Sequence, residues 1–195
     1  NVVGEELARV GASGVAFTLH SDIVAPYIES FGNDAQHERW LPKMASGELV
    51  GAIAMTEPGT GSDLQAVRTK AVLDGDEWVI NGSKTFISNG LLCGLCIVVC
   101  DTEGGDKGAA SKSLIVVEAD RPGFVRGKHL DKMGMRAQDT TELHFEDCRV
   151  PKKNLLGERG AGFLYLMEKL GTERFIIAAG CVAAAEAVFD DTVKY

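Results

Sequence analysis

The sequence runs to 195 residues, with 45% apolar and 25% charged content, 23 Gly, 5 Pro, 5 Cys and a formal net charge of -8. This excludes a disordered, collagenous or disulfide-scaffold chain, and the length suffices for one large domain, or one domain with parts of its neighbours, around a real core. The acidic balance excludes a broad nucleic-acid-binding surface, which needs clustered Lys and Arg, but leaves room for a local donor pocket that takes an anionic ligand.

Taken in order, residues 1–10 lack the basic flank and apolar stretch of a signal peptide. Residues 1–48 read as helical, with Asn33 or Asp34 as an N-cap and Gly47 as a stop. From residue 49 to 150 the pattern changes to short Val/Ile/Leu runs broken by Gly, Asn and Asp, the mark of a β unit. Val72-Leu73 ends at Asp74-Gly75, and Trp78-Val79-Ile80 ends at Asn81-Gly82. Both dipeptides supply the positive φ of two-residue hairpin turns. Further strands are expected at Cys96–Cys100, Leu114–Glu118, Phe124–Arg126 and Glu142–Phe145, with an exposed polar loop over 101–112. Helical periodicity returns at Gly160–Leu170, through Phe163, Leu166, Met167 and Leu170. Gly171 is expected to interrupt it, and a second helix to run from Thr172 to Tyr195. Phe175–Ala185 carries no charge but is far shorter than the roughly 20 residues of a spanning helix. The arrangement is α+β with segregated elements. Both ends read as cut, as in a fragment of a longer chain.

Three groups of residues have chemical potential. In Thr56-Glu57-Pro58-Gly59-Thr60-Gly61-Ser62-Asp63, two Gly allow close backbone approach and three hydroxyls both donate and accept. That composition suits a pyrophosphate or a flavin edge. Leu64 stands where a dinucleotide fingerprint needs its third Gly, and no Gly-Lys-Ser/Thr follows, so neither a Rossmann loop nor a P-loop is present. A plain polar turn is the simpler alternative. The second candidate is Glu173. On a helix it shares a stripe with Leu170, Ile177, Gly180 and Ala184, all apolar or small. A carboxylate so placed is partly desolvated and tuned toward general-base chemistry. The alternatives are a first-turn glutamate favoured by the helix dipole or an ion pair with Lys169. The third candidate, Cys93-x-x-Cys96-x-x-x-Cys100, lacks the second pair a zinc site needs and reads as packed thiols. His20, His37, His129 and His144 are isolated, so no metal site is expected. The odd, scattered Cys point to reduced thiols. Arg121, Arg126, Lys128 and Lys132 are dispersed, as on a solvated face.

The stretch Ala54-Met55-Thr56-Glu57-Pro58-Gly59-Thr60-Gly61-Ser62-Asp63 resembles the acyl-CoA dehydrogenases. The resemblance continues through Asn81-Gly82-Ser83-Lys84-Thr85-Phe86-Ile87-Ser88-Asn89-Gly90. It extends through Lys132-Met133-Gly134-Met135-Arg136-Ala137-Gln138-Asp139-Thr140 and Phe145-Glu146-Asp147. Within the family, Gly51-Ala52-Ile53-Ala54-Met55-Thr56 and Ala137-Gln138-Asp139-Thr140 resemble the long-chain branch. The resemblance implies the end of an N-terminal helical domain over 1–50, a middle antiparallel β-barrel over 51–152 and the start of a C-terminal helical bundle over 153–195. It implies FAD, a fatty acyl-CoA substrate oxidised to the trans-2-enoyl-CoA in the first step of β-oxidation, and an electron-transfer flavoprotein as electron acceptor. A homodimer or homotetramer is implied for the full-length protein, in the mitochondrial matrix of a eukaryote or the cytoplasm of a bacterium.

The same resemblance implies roles for individual positions. Ile53, Ala54, Met55, Thr56, Glu57, Pro58, Gly59, Thr60, Gly61 and Ser62 would line the flavin, with Phe86, Ile87 and Ser88 on its other side. Ser62, Ala110, Ser111, Leu164, Gly171, Thr172 and Arg174 match positions that line the path of the acyl or CoA group. Most of the family carries its catalytic glutamate far downstream, but the long-chain and isovaleryl branches carry it where Glu173 stands. Thr60, Phe86, Ser88 and Leu164 depart from the usual pattern. Phe86 keeps an aromatic wall but lacks an indole N–H. A non-catalytic acyl-CoA-binding or assembly module is the alternative from a different class, and an isovaleryl-type enzyme for short branched substrates is a third reading.

Overall fold

The structure, a computed structural model, describes residues 2–15, 17–103 and 108–195. Three helices come first: α1 (Val2–Arg9), α2 (Ala25–Phe31) and α3 (Asp34–Ala45). A π-helical turn over Thr18–Val24 runs directly into α2. α3 begins with a capping box: Asn33 accepts from the Gln36 N–H at 3.0 Å, and the Gln36 side chain accepts from the Asn33 N–H at 3.1 Å. Gly47, at φ +78°, turns the chain away past the helix end.

The middle of the chain forms one sheet from β1 (Gly51–Ala54), β2 (Lys70–Asp74), β3 (Glu77–Ser88), β4 (Leu95–Asp101), β5 (Lys112–Glu118), β6 (Phe124–His129), β7 (Thr140–Pro151) and β8 (Leu155–Leu156). The strand path is β6-β7-β3-β2-β4-β5-β8, with β1 beside β4. Two features depart from the expected antiparallel barrel. β1 lies parallel to β4, with Gly51 opposite Leu95, and β2 meets β4 in parallel only at Lys70 and Asp101. Among the described residues no pairing joins β6 to β8, so the sheet is curved but not closed.

The turn expected at Asp74-Gly75 is present: β2 pairs with β3 from Lys70–Asn81 to Asp74–Glu77. The turn expected at Asn81-Gly82 is not. β3 continues through it, and the positive φ of Gly82 (+155°) serves a β-bulge against β7 instead. Asn81 closes that bulge, donating to the Asp147 carboxylate and accepting the Asp147 N–H, both at 2.9 Å. The loop expected to be exposed over 101–112 is buried at both ends, at Asp101, Thr102, Ser111 and Lys112, because Lys112 Nζ reaches Asp101 at 2.9 Å. Its centre, 104–107, lies outside the described residues.

β4 and β5 are buried on both faces, which explains their continuous apolar runs. Cys96, Val98, Cys100, Ile115 and Val117 join Trp78, Ile80, Leu143 and Phe145 in a core inside the curved sheet. Leu95, Ile97, Val99, Leu114 and Val116 point the other way, onto Val24, Tyr27, Ile28, Trp40, Met44 and Leu166. The helices thus cap one face of the sheet. The final helix, α4 (Gly162–Lys194), is continuous, and the break expected at Gly171 does not occur. Gly171 faces open space, and a glycine costs only about 1 kcal/mol in a helix interior, too little to end one of 33 residues. No helix of the described residues is long and apolar enough to cross a membrane.

Candidate active site

The chain leaves β1 into the loop 55–63, and three contacts hold that loop against β3. The Thr85 N–H donates to the Thr56 carbonyl at 2.9 Å, and Lys84 Nζ donates to the Met55 carbonyl at 3.0 Å. Glu57 turns inward. Its Oε1 accepts from Lys84 Nζ at 2.8 Å, from the Thr69 N–H at 2.8 Å and from the Thr69 hydroxyl at 2.6 Å, while Oε2 accepts from the Arg68 N–H at 2.8 Å. Burial alone would push this carboxyl up, but the Lys84 ammonium and the other donors outweigh it and hold it below its ordinary value. The Glu57 backbone is paired with Thr60 in both directions. All the polar atoms of Glu57 are therefore engaged in holding the loop.

The outer side of the loop is open. Pro58, Gly59, Gly61 and Ser62 are exposed, and a Cβ on Gly59 would touch nothing. Among the described residues, the N–H groups of Gly59, Gly61 and Ser62 and the hydroxyls of Thr56 and Ser62 have no partner in the chain. Phe86 stands next to this donor row. It is 68% exposed and holds φ +59°, at the second bulge of β3 against β7. A bulky aromatic residue in the left-handed region, left uncovered, is a strained feature of the kind found at ligand sites. Ile87 is buried and Ser88 half-buried.

Glu173 lies in the middle of α4, opposite the π-turn and α2. The Tyr27 hydroxyl donates to its Oε1 at 2.8 Å. Both simpler readings of Glu173 fail. It is not in a first turn, because α4 begins at Gly162. It does not pair with Lys169, whose Nζ donates to Ser30 Oγ at 2.6 Å and lies 5.4 Å over the Phe31 ring. Burial pushes the Glu173 carboxyl above its ordinary value. The Tyr27 hydrogen bond and the Arg174 guanidinium pull it down without cancelling the effect of burial. Asp22, Ile23, Pro26, Tyr27, Lys169, Thr172 and Glu173 enclose a cleft of about 80 Å³. One helical turn further on, α1, the π-turn and α4 enclose an apolar groove of about 450 Å³, lined by Leu7, Val15, Leu19, Ile176, Ile177 and Ala184 among others.

The structure thus brings the segments 53–62 and 86–88 side by side, with Ala54, Glu57 and Ile87 buried beneath, and places Glu173 with Thr172 in a separate cleft. No hydrogen bond among the described residues joins the two. They meet through packing: Ile53 and Met55 rest on the same apolar cluster as Tyr27, Leu166 and Leu170. His20 of the π-turn fastens this junction, accepting the Gly51 N–H on Nδ1 at 2.9 Å, with Nε2 3.1 Å from the Met44 carbonyl. Leu164, Gly171 and Arg174 are exposed on α4. Ala110 is exposed, but Ser111 is fully buried, its hydroxyl donating to Asp101 and Gly108. Sequence reasoning missed the roles of Tyr27 and Lys84. Tyr27 sits 146 positions from its partner, so no local spacing could reveal it. Among the described residues there is no His/Cys/Asp/Glu group that could hold a metal. Burial pushes the Cys93 thiol up to about 11 and Cys100 to about 12, as expected of inert packed cysteines.

This architecture, a curved sheet capped on one face by helices with an open donor loop beside an exposed aromatic, is shared with known proteins. Profiles described as "Acyl-CoA dehydrogenase, middle domain" and "Acyl-CoA dehydrogenase, N-terminal domain" match residues 52–148 and 1–48. The chain belongs to the acyl-CoA dehydrogenase family, a family of flavin-dependent oxidoreductases. It is 51% identical to the long-chain specific acyl-CoA dehydrogenase of Rattus norvegicus, over 100% of this chain and 45% of that protein. It is 40% identical to the isovaleryl-CoA dehydrogenase of Pongo abelii, over 100% of this chain and 46% of that one. A crystal structure of an acyl-CoA dehydrogenase from Geobacillus kaustophilus superposes with a TM-score of 0.97 at 53% identity, covering 100% of this chain and 51% of the other. The chain therefore spans about half the length of the curated relatives it matches.

Proposed function

We propose that this chain forms the flavin- and substrate-facing part of an enzyme that oxidises a long-chain fatty acyl-CoA to its trans-2-enoyl-CoA, with Glu173 as the base. The observation that carries this reading is the mid-helix carboxylate, half-buried in a small cleft beside Tyr27 and held above its ordinary pKa. A base needs a pKa raised toward the working pH, and desolvation supplies it. The apolar groove of about 450 Å³ between α1 and α4, one helical turn from Glu173, is compatible with an acyl tail. The division into helical segment (1–50), middle β domain (51–152) and start of a helical bundle (153–195) belongs to the same proposal.

The residues present fit FAD. The unpartnered N–H groups of Gly59, Gly61 and Ser62 can meet a pyrophosphate or ring oxygen, and Phe86 offers an uncovered aromatic face. Ile53, Ala54, Met55, Thr56, Pro58 and Thr60 complete that wall, and Glu57 acts by holding it in place. FAD held by these residues would supply the acceptor for the hydride of the β-carbon. Glu173 takes the α-proton onto its carboxylate. A developing enolate needs donors aimed at the thioester oxygen, which stabilise it better than solvent does. Thr172, Arg174, Leu164, Gly171 and Ala110 belong to the acyl and CoA path, while the fully buried Ser111 can only support the loop that carries Ala110. Family membership supports an electron-transfer flavoprotein as electron acceptor and a homodimer or homotetramer as the assembly. The identity to isovaleryl-CoA dehydrogenase favours a second reading, a short branched substrate.

The test is anaerobic bleaching of the flavin in the full-length protein by butyryl-, octanoyl-, palmitoyl- and isovaleryl-CoA. Fastest bleaching by palmitoyl-CoA supports the proposal, fastest bleaching by isovaleryl-CoA supports the second reading, and a colourless protein that still binds the thioesters is a non-catalytic module. Glu173→Gln should keep the yellow colour and slow bleaching by about 10³-fold, within the range a positioned base contributes. Because only the ionised carboxylate accepts a proton, activity should rise with pH through a midpoint above the usual carboxylate range.

A further inference from the structure

Tyr27 is fully buried, yet its hydroxyl reaches across from α2 to Glu173 Oε1 at 2.8 Å. The ring has little freedom. It packs against Phe31 at 6.0 Å between centroids, and Phe31 stacks on Tyr165 at 4.1 Å, whose own hydroxyl accepts the Glu158 N–H at 3.0 Å. This ladder ties α2, α4 and the segment before α4 together, so the Tyr27 oxygen is a fixed point. Glu173 Oε2, by contrast, has no hydrogen-bond partner among the described residues. The two oxygens of the carboxylate are therefore unequal: one is tethered and the other has no partner among the described residues.

We propose that Tyr27 is a positioning residue for the base: it holds Oε1, so that Oε2 is the atom presented to the substrate proton. The proposal rests on the reading of Glu173 as base. A phenol O–H donates to an ionised carboxylate and favours that form, so the tether also keeps Glu173 ready to accept a proton in a cleft where burial works against charge. The charged and titratable groups around Glu173 are Asp22 from the π-turn, Tyr27 from α2, and Lys169 and Arg174 from α4 itself. Lys169 is occupied by Ser30, and among the described residues only Tyr27 hydrogen-bonds to the carboxylate.

The test is Tyr27→Phe in the full-length flavoprotein, assayed with the acyl-CoA that bleaches wild type fastest, with Glu173→Gln prepared in parallel. Loss of a donor to the charged form raises the pKa of Glu173. The acid limb of kcat/KM should therefore move up by about one pH unit, and kcat should fall about tenfold, with flavin content unchanged. An acid limb and kcat equal to wild type overturn the proposal. Should Tyr27→Phe fail to fold, 3-fluorotyrosine placed at position 27 keeps the ring and makes its hydroxyl a stronger donor. The acid limb should then move to lower pH, and an unmoved limb again overturns the proposal. Turnover retained by Glu173→Gln removes the base reading itself. An inactive Glu173→Gln beside an unaltered Tyr27→Phe removes only the role of Tyr27.

Discussion

A buried Lys84, 0% exposed, faces Glu57, 7% exposed, directly beneath the loop assigned to the flavin. Removing one partner leaves an uncompensated charge where water cannot reach, which costs about 3–5 kcal/mol, whereas replacing both with apolar or neutral groups costs far less. Lys84→Met should therefore lower stability by about that amount in urea titration, and the double variant Lys84→Met with Glu57→Gln should regain most of it. If the double variant were as unstable as the single, the loss would come from packing rather than charge. In the sequence, Glu57 was legible as part of a chemically active loop. Its actual work was not, because its partners Thr69 and Lys84 come from later strands and only the fold brings them beneath it. Glu173 was legible because its oddity is local: a carboxylate alone on an apolar helical stripe. Tyr27 was not, because a tyrosine within a helical stretch has no mark that separates a core ring from a tether.

Among the elements, β3 is the most informative. It carries two irregularities against β7, one at Asn81-Gly82 and one between Lys84 and Ile87. Asn-Gly was readable as a place of positive φ, but a hairpin and a bulge require the same backbone, and only the pairing partner decides between them. Gly171 is the same lesson in α4: its local cost is real, but it is too small to end a helix of 33 residues. The second bulge holds Phe86 at φ +59°, a conformation that costs a non-glycine residue about 1 kcal/mol or more. Phe86→Gly should relieve that strain, so the melting temperature should stay level or rise by a few degrees, while flavin affinity should fall through loss of the aromatic wall. A variant that loses stability and flavin together would show that Phe86 supports the fold rather than the cofactor.

At the scale of the whole molecule, the class α+β and the segregation of helices from strands were readable from composition zones alone. The path of the sheet was not, because the parallel entry of β1 beside β4 depends on where the helices deliver the chain. That entry makes β4 and β5 the shared wall of two apolar clusters, with inward side chains in one and outward side chains in the other. A wall packed on both sides has no local route to solvent, so exposing either face requires the sheet and the helices to separate together. Cys96 and Cys100 report on this directly. Both are 0% exposed, and burial pushes the Cys100 thiol up to about 12, so in the folded state they are neither reachable nor ionised near neutral pH. In the full-length protein, a thiol reagent at pH 8 should therefore modify them only through global unfolding. The logarithm of their modification rate should rise with urea along the same slope as the unfolding free energy followed by circular dichroism. A rate for Cys96 that is independent of urea would mean that β4 frays alone, and that the helices and the sheet do not open as one unit.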